Sequence, residues 1–482
     1  MGDNLKKNMI GAIAWSSVNI FGIQFIQLIV GIILARILLP EDFGLIGVIY
    51  IFIGFSTVLI DAGFGQGLIR KQDATTTDFS TVFILNILIS VLMYLLLYVS
   101  APFIASFFSQ PELIKLSRII FICVLLYPLY QIQLVLLYKK LDYKSISIVN
   151  IISISISGII ATILALNHFG VWSLVYQQLS FHFIKVIVFP FFLKWKPSLS
   201  FSFNTVRNLW KFTVPIMSQG LLNVIFNQIY IVIIGRFYPL KQVGYFTQAN
   251  KYNETVNVAT QGIINSSTFP LLSKIQDDKE RSLRIYRKLI SSTAAITFPL
   301  SLFLFIAAEP VIITLISEKW INSVVFLQLL LLGNIFTPLF AINTNILNAQ
   351  GLSSITLKLE VLKKSLILIS IVGSFRFGIN NMLIGFIIAN IIAYSFSMVY
   401  IKKTLQHFYK HQLSDFLYYL ILAFVVGGLS YSINFIPLHA TLKLLLLLIV
   451  FITLYISGLR LFFKNSYYIL RDTITNKLKN IF

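Results

Sequence analysis

The chain is short of charge and nearly devoid of cysteine. Of 482 residues, 11% are charged, 5 are His and 1 is Cys. The single thiol, Cys123, excludes an intrachain disulfide and makes no thiol-ligated metal site. Also missing are a glycine-rich phosphate loop, a His pair at metal spacing and a Gly-x-Ser-x-Gly elbow. Asp277, Asp278 and Glu280 are clustered, but in a basic loop where they read as solvated side chains. No large soluble loop interrupts the hydrophobic segments to house catalysis. The sequence therefore predicts no enzyme, no catalytic residue, no metal and no cofactor.

What fills the chain instead is hydrophobic. Apolar residues make up 57% and aromatics 15%, and mean hydropathy is +0.86. Apolar runs of about 20 residues recur, the length a helix needs to cross a bilayer. The segment MGDNLKKNM is short and basic, and the run from Ile10 to Leu34 is too long for a signal-peptide core, so it reads as a retained span. A net charge of +21 would point to nucleic acid in a soluble protein. In a polytopic one it sets orientation, because Lys and Arg gather in cytoplasmic loops.

The runs predict fourteen spans, near 10–34, 43–66, 79–101, 115–137, 145–166, 172–193, 210–234, 243–270, 289–308, 320–347, 361–377, 382–400, 416–435 and 441–462. The eighth and tenth are the least apolar. With the N-terminus in the cytoplasm, the outer segments hold Arg36, Lys115, Arg118, Arg236, Lys241, Lys319, Arg376 and Lys443, and nearly all other basic residues fall inside. That asymmetry predicts an even span number with both termini cytoplasmic.

Two halves resemble each other. GIILARILLPEDFG at 31–44 parallels IVIIGRFYPLKQVG at 231–244, so Arg36 matches Arg236 and Gly44 matches Gly244. RKQD at 70–73 parallels KIQD at 274–277 in the same order. The pattern predicts an all-α polytopic membrane protein with two pseudo-symmetric six-helix lobes around a central cavity and two extra C-terminal helices. The lobes span 1–200 and 201–405, and the extra helices and tail span 406–482.

Polar side chains inside spans mark candidate sites, since such groups survive in a bilayer only against protein or a wet cavity. The stretch 244–270 carries Thr247, Lys251, Glu254, Asn257, Gln261, Asn265 and Thr268 at steps of three and four, one stripe on a helix. Lys251 and Glu254 are spaced to pair. Span one offers Gln24 and Gln27, and span seven offers Asn223 and Asn227. Lys185 lies in span six, three residues after His182, and suits an anionic headgroup. Arg36 and Arg236 sit at outer mouths. Asp61, in DAGFGQG, and Glu254 are the candidate carboxylates for coupling to H+ or Na+.

Several motifs carry a resemblance: GIILARILLPEDFGLIGV, DAGFGQGLIRKQDATTTDFSTVFILN, FGVWSLVYQQL, TFPLLSKIQDDKERSLRIYRKLI, EPVIITLISEKW and NILNAQGLSSITLKLEVLKK. In this order the chain resembles bacterial oligosaccharide flippases of the polysaccharide-transport branch of the MATE/oligosaccharidyl-lipid/polysaccharide exporter superfamily. The resemblance runs from about residue 8 to 465. It implies a fourteen-helix, two-lobed fold and alternating-access translocation of polyprenyl-diphosphate-linked oligosaccharide across the bacterial inner membrane, for O-antigen, capsule or exopolysaccharide. It implies an ion gradient as the driving force, and membrane lipids and polysaccharide polymerase machinery as partners. The alternative within the same fold is an ion-coupled small-molecule or drug antiporter. Where the family's eighth helix often opens with an Arg and an Asp, this chain has Thr247, Gln248, Ala249 and Asn250.

Overall fold

The computed structural model describes residues 2–273 and 278–462, the side chains of 2–10, 12–13, 259–273 and 279 excepted. Every regular element among the described residues is helical. In chain order they are α1 (Gly2–Ile37), α2 (Pro40–Asp61), α3 (Phe64–Arg70), α4 (Thr76–Phe108), α5 (Leu113–Ile120) and α6 (Ile122–Lys139). Next come α7 (Tyr143–Leu166), α8 (Trp172–Phe192), α9 (Phe203–Phe237), α10 (Leu240–Ser273), α11 (Lys279–Ile306) and α12 (Ala308–Ile316). The series ends with α13 (Ser323–Asn334), α14 (Thr337–Ala349), α15 (Ser353–Ser374), α16 (Ile379–Leu405), α17 (Tyr409–Tyr431) and α18 (Ala440–Phe462). Helices dominate because a bilayer leaves no water for backbone amides and carbonyls, which must pair within the segment.

Among the described residues, 12 segments are long and apolar enough to cross a membrane. α10 and α15 fall outside that set. α10 is rich in amides and hydroxyls and carries Lys251 and Glu254; α15 carries Lys358, Glu360, Lys363 and Lys364. The sequence marked the eighth and tenth spans as the hardest to see. The tenth, α13 with α14, is apolar enough after all, because the run Phe326 to Leu332 dilutes its polar residues. The eleventh is the charged one.

The chain forms two compact units, Met1–Thr247 and Gln248–Phe482. In the first, α1 lies along α7, α7 along α8, and α2 along α9. Polar side chains fasten α1 to α7. Asn150 Nδ2 donates to Asn19 Oδ1 at 3.0 Å, and Ser147 Oγ donates to the Trp15 carbonyl at 2.9 Å. Small residues let backbones approach, the usual device where lipid removes the hydrophobic drive between helices. A Cβ on Gly44 would strike the Leu240 carbonyl oxygen, and a Cβ on Gly244 would strike that of Pro40. The two repeat-related glycines thus make the same contact reciprocally where α2 and α10 begin.

The start of α4 is pinned by Asp78. Thr75 N donates to its Oδ2 at 2.8 Å while Thr75 Oγ1 accepts from Asp78 N at 3.3 Å, a capping box. Lys71 Nζ and Thr205 Oγ1 donate to the same carboxylate at 2.8 and 2.6 Å. The first turn of α9 is therefore tied to α4.

In the second unit α11 packs on α17, and α16 on α13 and α15. Its core holds Phe336 stacked on Tyr394 at 5.2 Å, with Phe298 and Phe416 edge-on to Phe336. A polar knot around buried Asp415 joins α17 to α11. Arg287 Nε donates to Asp415 Oδ1 at 3.0 Å, and His407 Nε2 lies 2.7 Å from Asp415 Oδ2. Tyr286 Oη donates to Asn343 Oδ1 at 2.9 Å, and Asn343 Nδ2 donates to Ser397 Oγ at 2.7 Å.

Candidate functional site

The first unit concentrates its intramembrane polar groups around α6, which enters as an apolar helix but carries Tyr127, Tyr130, Gln131 and Gln133. On one side is Asp61. α2 ends there because Ala62 and Gly63 take left-handed backbone, at φ 44° and 77°, before α3 begins. The break frees backbone groups, and the Asp61 carboxylate serves one of them: Gly65 N donates to Oδ1 at 3.2 Å. Gly65 lacks the Cβ that would sit 2.9 Å from that oxygen. Gln131 Nε2 faces the same Oδ1, and Gln131 Oε1 faces the amide of Asn86 on α4. Asn86 and Gln131 are buried, at 0% and 3% exposure, and Asp61 is half-buried.

On the other side of α6 is Lys185. Its Nζ sits 4.2 Å from the ring centroid of Phe181 and 5.4 Å from that of Tyr130. The negative faces of both rings attract a cation. Among the described residues no carboxylate pairs with it. Tyr130 Oη lies 2.9 Å from His182 Nδ1, Gln178 Nε2 lies 3.1 Å from His182 Nε2, and Phe189 stacks on Tyr130 at 5.6 Å. The sequence spacing of His182 and Lys185 thus puts both on one helix face, against an aromatic the sequence did not single out. The far face of α8 borders a separate cavity of about 640 Å³ whose lining, including Leu126, Ile160, Leu164, Tyr176 and Phe183, is apolar apart from Ser180 and the Tyr176 hydroxyl.

The remaining predicted residues are more dispersed. Gln24 is half-buried, and Gln27, Asn223 and Asn227 are exposed. Arg36 and Arg236 are exposed at the last turns of α1 and α9. Arg236 Nη1 donates to the Phe107 carbonyl, and the guanidinium lies 5.1 Å from the Phe107 ring. It thereby serves an orphan carbonyl at the end of α4. In the second unit Lys251 and Asn257 are half-buried and Glu254 is exposed. Glu254 Oε1 accepts from Asn250 Nδ2, an amide one turn back on α10, at 3.0 Å. Gln261 and Asn265 lie on α10, but their side chains are outside the described residues.

Sequence reasoning missed Asn86, Gln131, Gln248 and Asn253. All four are amides in helices and are buried, and Gln248 Nε2 and Asn253 Oδ1 have no hydrogen-bond partner among the described residues. A buried amide in an apolar run is a signal, since burial without a partner is costly. Among the described residues no three His, Cys, Asp or Glu converge on a metal site.

These features define a class: an all-helical, multi-pass membrane protein with polar and cationic groups held inside spans. The fold is that of known exporters. The structure of the lipid II flippase MurJ in an inward closed conformation matches with a TM-score of 0.72 over 92% of this chain and 98% of that one, at 16% identity. An inward-facing multidrug resistance MATE family transporter of the MOP superfamily matches at 0.62 over 82% and 99%, also at 16% identity. A family model described as polysaccharide biosynthesis protein matches residues 33–325, and the chain belongs to that family. Curated relatives include the teichuronic acid biosynthesis protein TuaB of Bacillus subtilis (strain 168), 26% identical over 72% of both chains. The succinoglycan biosynthesis transport protein ExoT of Rhizobium meliloti (strain 1021) is 28% identical over 67% of this chain and 65% of its own. The lipopolysaccharide biosynthesis protein WzxC of Escherichia coli (strain K12) is 24% identical over 84% of both.

Proposed function

We propose that the protein is a flippase that moves polyprenyl-diphosphate-linked oligosaccharide across the bacterial inner membrane for surface-polysaccharide synthesis. The observation that carries the reading is the family match over 33–325, joined to relatives named for three different surface glycans. A diphosphate concentrates negative charge and an oligosaccharide presents many hydroxyls. Lys185, lodged on two aromatic faces, and the amide-rich α10 are the chemistry such a cargo needs. The MATE-like fold alone fits a drug antiporter equally well; the family membership favours the glycan cargo.

In this reading the chain crosses the membrane fourteen times, α10 and α15 included, with both termini cytoplasmic. The two six-helix repeats at 1–200 and 201–405 are the moving halves of an alternating-access cycle, and an H+ or Na+ gradient drives it. Lys185, Lys251, Glu254, Asn257, Gln261, Asn265, Gln24, Gln27, Asn223, Asn227, Arg36 and Arg236 form the cargo-facing set. Membrane lipids surround it, and polysaccharide polymerase machinery receives its product. The test is deletion in the native host: lipid-linked oligosaccharide accumulates on the inner leaflet and returns to wild-type levels with the restored gene. Unchanged glycan levels contradict the assignment.

A further inference from the structure

The chain Asp61–Gln131–Asn86 admits two directions of hydrogen bonding, and only one of them satisfies every atom. With Asp61 ionised, Gln131 Nε2 donates to Asp61 Oδ1 and Asn86 Nδ2 donates to Gln131 Oε1. Asn86 Oδ1 is then left against two further acceptors, the carbonyl oxygens of Ile60 at 2.7 Å and Val82 at 3.3 Å. Those carbonyls belong to the backbone and cannot turn. The atom facing them must therefore be Asn86 Nδ2, which donates to Ile60 and Val82. Asn86 Oδ1 then faces Gln131, so Gln131 presents Nε2 to Asn86 and Oε1 to Asp61. Two oxygens cannot share that last contact unless Asp61 carries a hydrogen. Asn86 and Gln131 are too buried for water to repair the mismatch, at 0% and 3% exposure.

We propose that Asp61 is a proton-binding site whose occupancy is relayed through Gln131 and Asn86 to the Ile60 carbonyl, at the break between α2 and α3. When occupied, the Asp61 hydroxyl donates to Gln131 Oε1, Gln131 Nε2 to Asn86 Oδ1, and Asn86 Nδ2 to Ile60. When the proton leaves to water at the half-buried Asp61, Gln131 Oε1 faces the carboxylate with no hydrogen between them; turning Gln131 sets its Oε1 against Asn86 Oδ1, and turning Asn86 as well would strip Ile60 of its donor, so the mismatch is passed along the chain. Ala62 N makes the last helical bond of α2, to the Val58 carbonyl, and beyond it the left-handed break turns Gly65 N to the Asp61 side chain, so the Ile60 carbonyl at the helix end depends on Asn86.

The groups facing Asp61 leave this site to the proton. From α6 come Gln131 and, among the titratable groups nearby, the neutral Tyr127 phenol. From α4 comes Asn86, and α9 packs Thr213 and Ile216 against Gly63. The nearby cations are engaged elsewhere. Arg70 lies over the Phe212 ring, Lys71 pairs with Asp78, and Lys139 donates to the Leu68 and Lys71 carbonyls. That this proton drives transport rests on the flippase reading; that Asp61 binds it does not.

The test is infrared difference spectroscopy of the purified full chain in lipid, with no cargo present. At neutral pH the wild type should show a carboxylic-acid carbonyl band that carboxyl-13C aspartate labelling shifts and that Asp61→Asn removes. The band should bleach as the pH is raised, with matching changes in amide side-chain bands that Gln131→Leu abolishes. Asp61→Asn keeps a donor toward Gln131 and should fold; should it fail to, the pH titration of the labelled wild type decides alone. Wild-type spectra with no aspartic-acid band at neutral pH overturn the proposal, as does a band that sodium chloride removes at constant pH. A flux assay that fails while the band is present counts against the transport reading and leaves the proton site standing.

Discussion

Gly44 and Gly244 show how a single missing Cβ shapes this protein. Each lies against the other helix's backbone carbonyl, and a carbonyl has no rotamer with which to move aside. Gly44→Ala is expected to destabilise the chain by about 1–3 kcal/mol through overpacking. A thermal unfolding midpoint in detergent equal to wild type would show that the contact is looser than described. Tyr130 makes a subtler case. Its hydroxyl lies within hydrogen-bond distance of buried His182, and its ring faces Lys185 and Phe189. Tyr130→Phe keeps the ring and removes the hydroxyl, so stability should fall by about 1 kcal/mol, measured by denaturation at fixed detergent. A loss near zero would assign the His182 contact no net worth.

At the scale of elements, the break between α2 and α3 is the feature with most consequence. Gly63 sits at φ 77°, and an added Cβ would meet the Thr213 carbonyl oxygen at 3.0 Å. Gly63→Ala should cost at least about 1–2 kcal/mol from left-handed backbone alone, read as a lowered unfolding midpoint. An unchanged midpoint would mean the turn can relax into continuous helix. The sequence reading carried span two straight through this break to residue 66. DAGFGQG is glycine-rich, but glycine is common in membrane helices, so composition did not separate a kink from a run. Helix positions were legible because apolar length is a one-dimensional property, but α11 and α15 begin at Lys279 and Ser353, well ahead of the apolar runs read from 289 and 361. α10 was legible as a helix from the spacing of its polar stripe and less so from hydropathy, whereas α15 was placed by its apolar run at 361–377 alone. The polar partners behaved differently. Asp61 stood out because a carboxylate in an apolar run is visible alone. Gln131 and Asn86 become its partners only by tertiary packing across α4 and α6, which no local pattern records. Lys185 and His182 were legible together because three residues make one face of a helix, whereas Tyr130 lies on another helix.

For the whole molecule the basic loops and the buried cations belong to one account. Orientation follows from where Lys and Arg gather, and Cys123 is the only thiol to remove first. In a Cys123→Ala background, a cysteine placed at Arg284 should label only from the cytoplasmic side, and one at Lys319 only from the outside. Reversed labelling would invert the topology. The asymmetry of charge and the internal cation both suit an anionic, membrane-bound cargo entering from the cytoplasm. The most direct measurement is transbilayer movement of a lipid-linked oligosaccharide in vesicles containing the purified protein. The account predicts movement above that of empty vesicles and a fall of about tenfold in the Lys185→Ala, Lys251→Ala double variant, the equivalent of losing about 1.4 kcal/mol of cargo binding. No movement by the folded wild type, or equal movement by wild type and double variant, would contradict it.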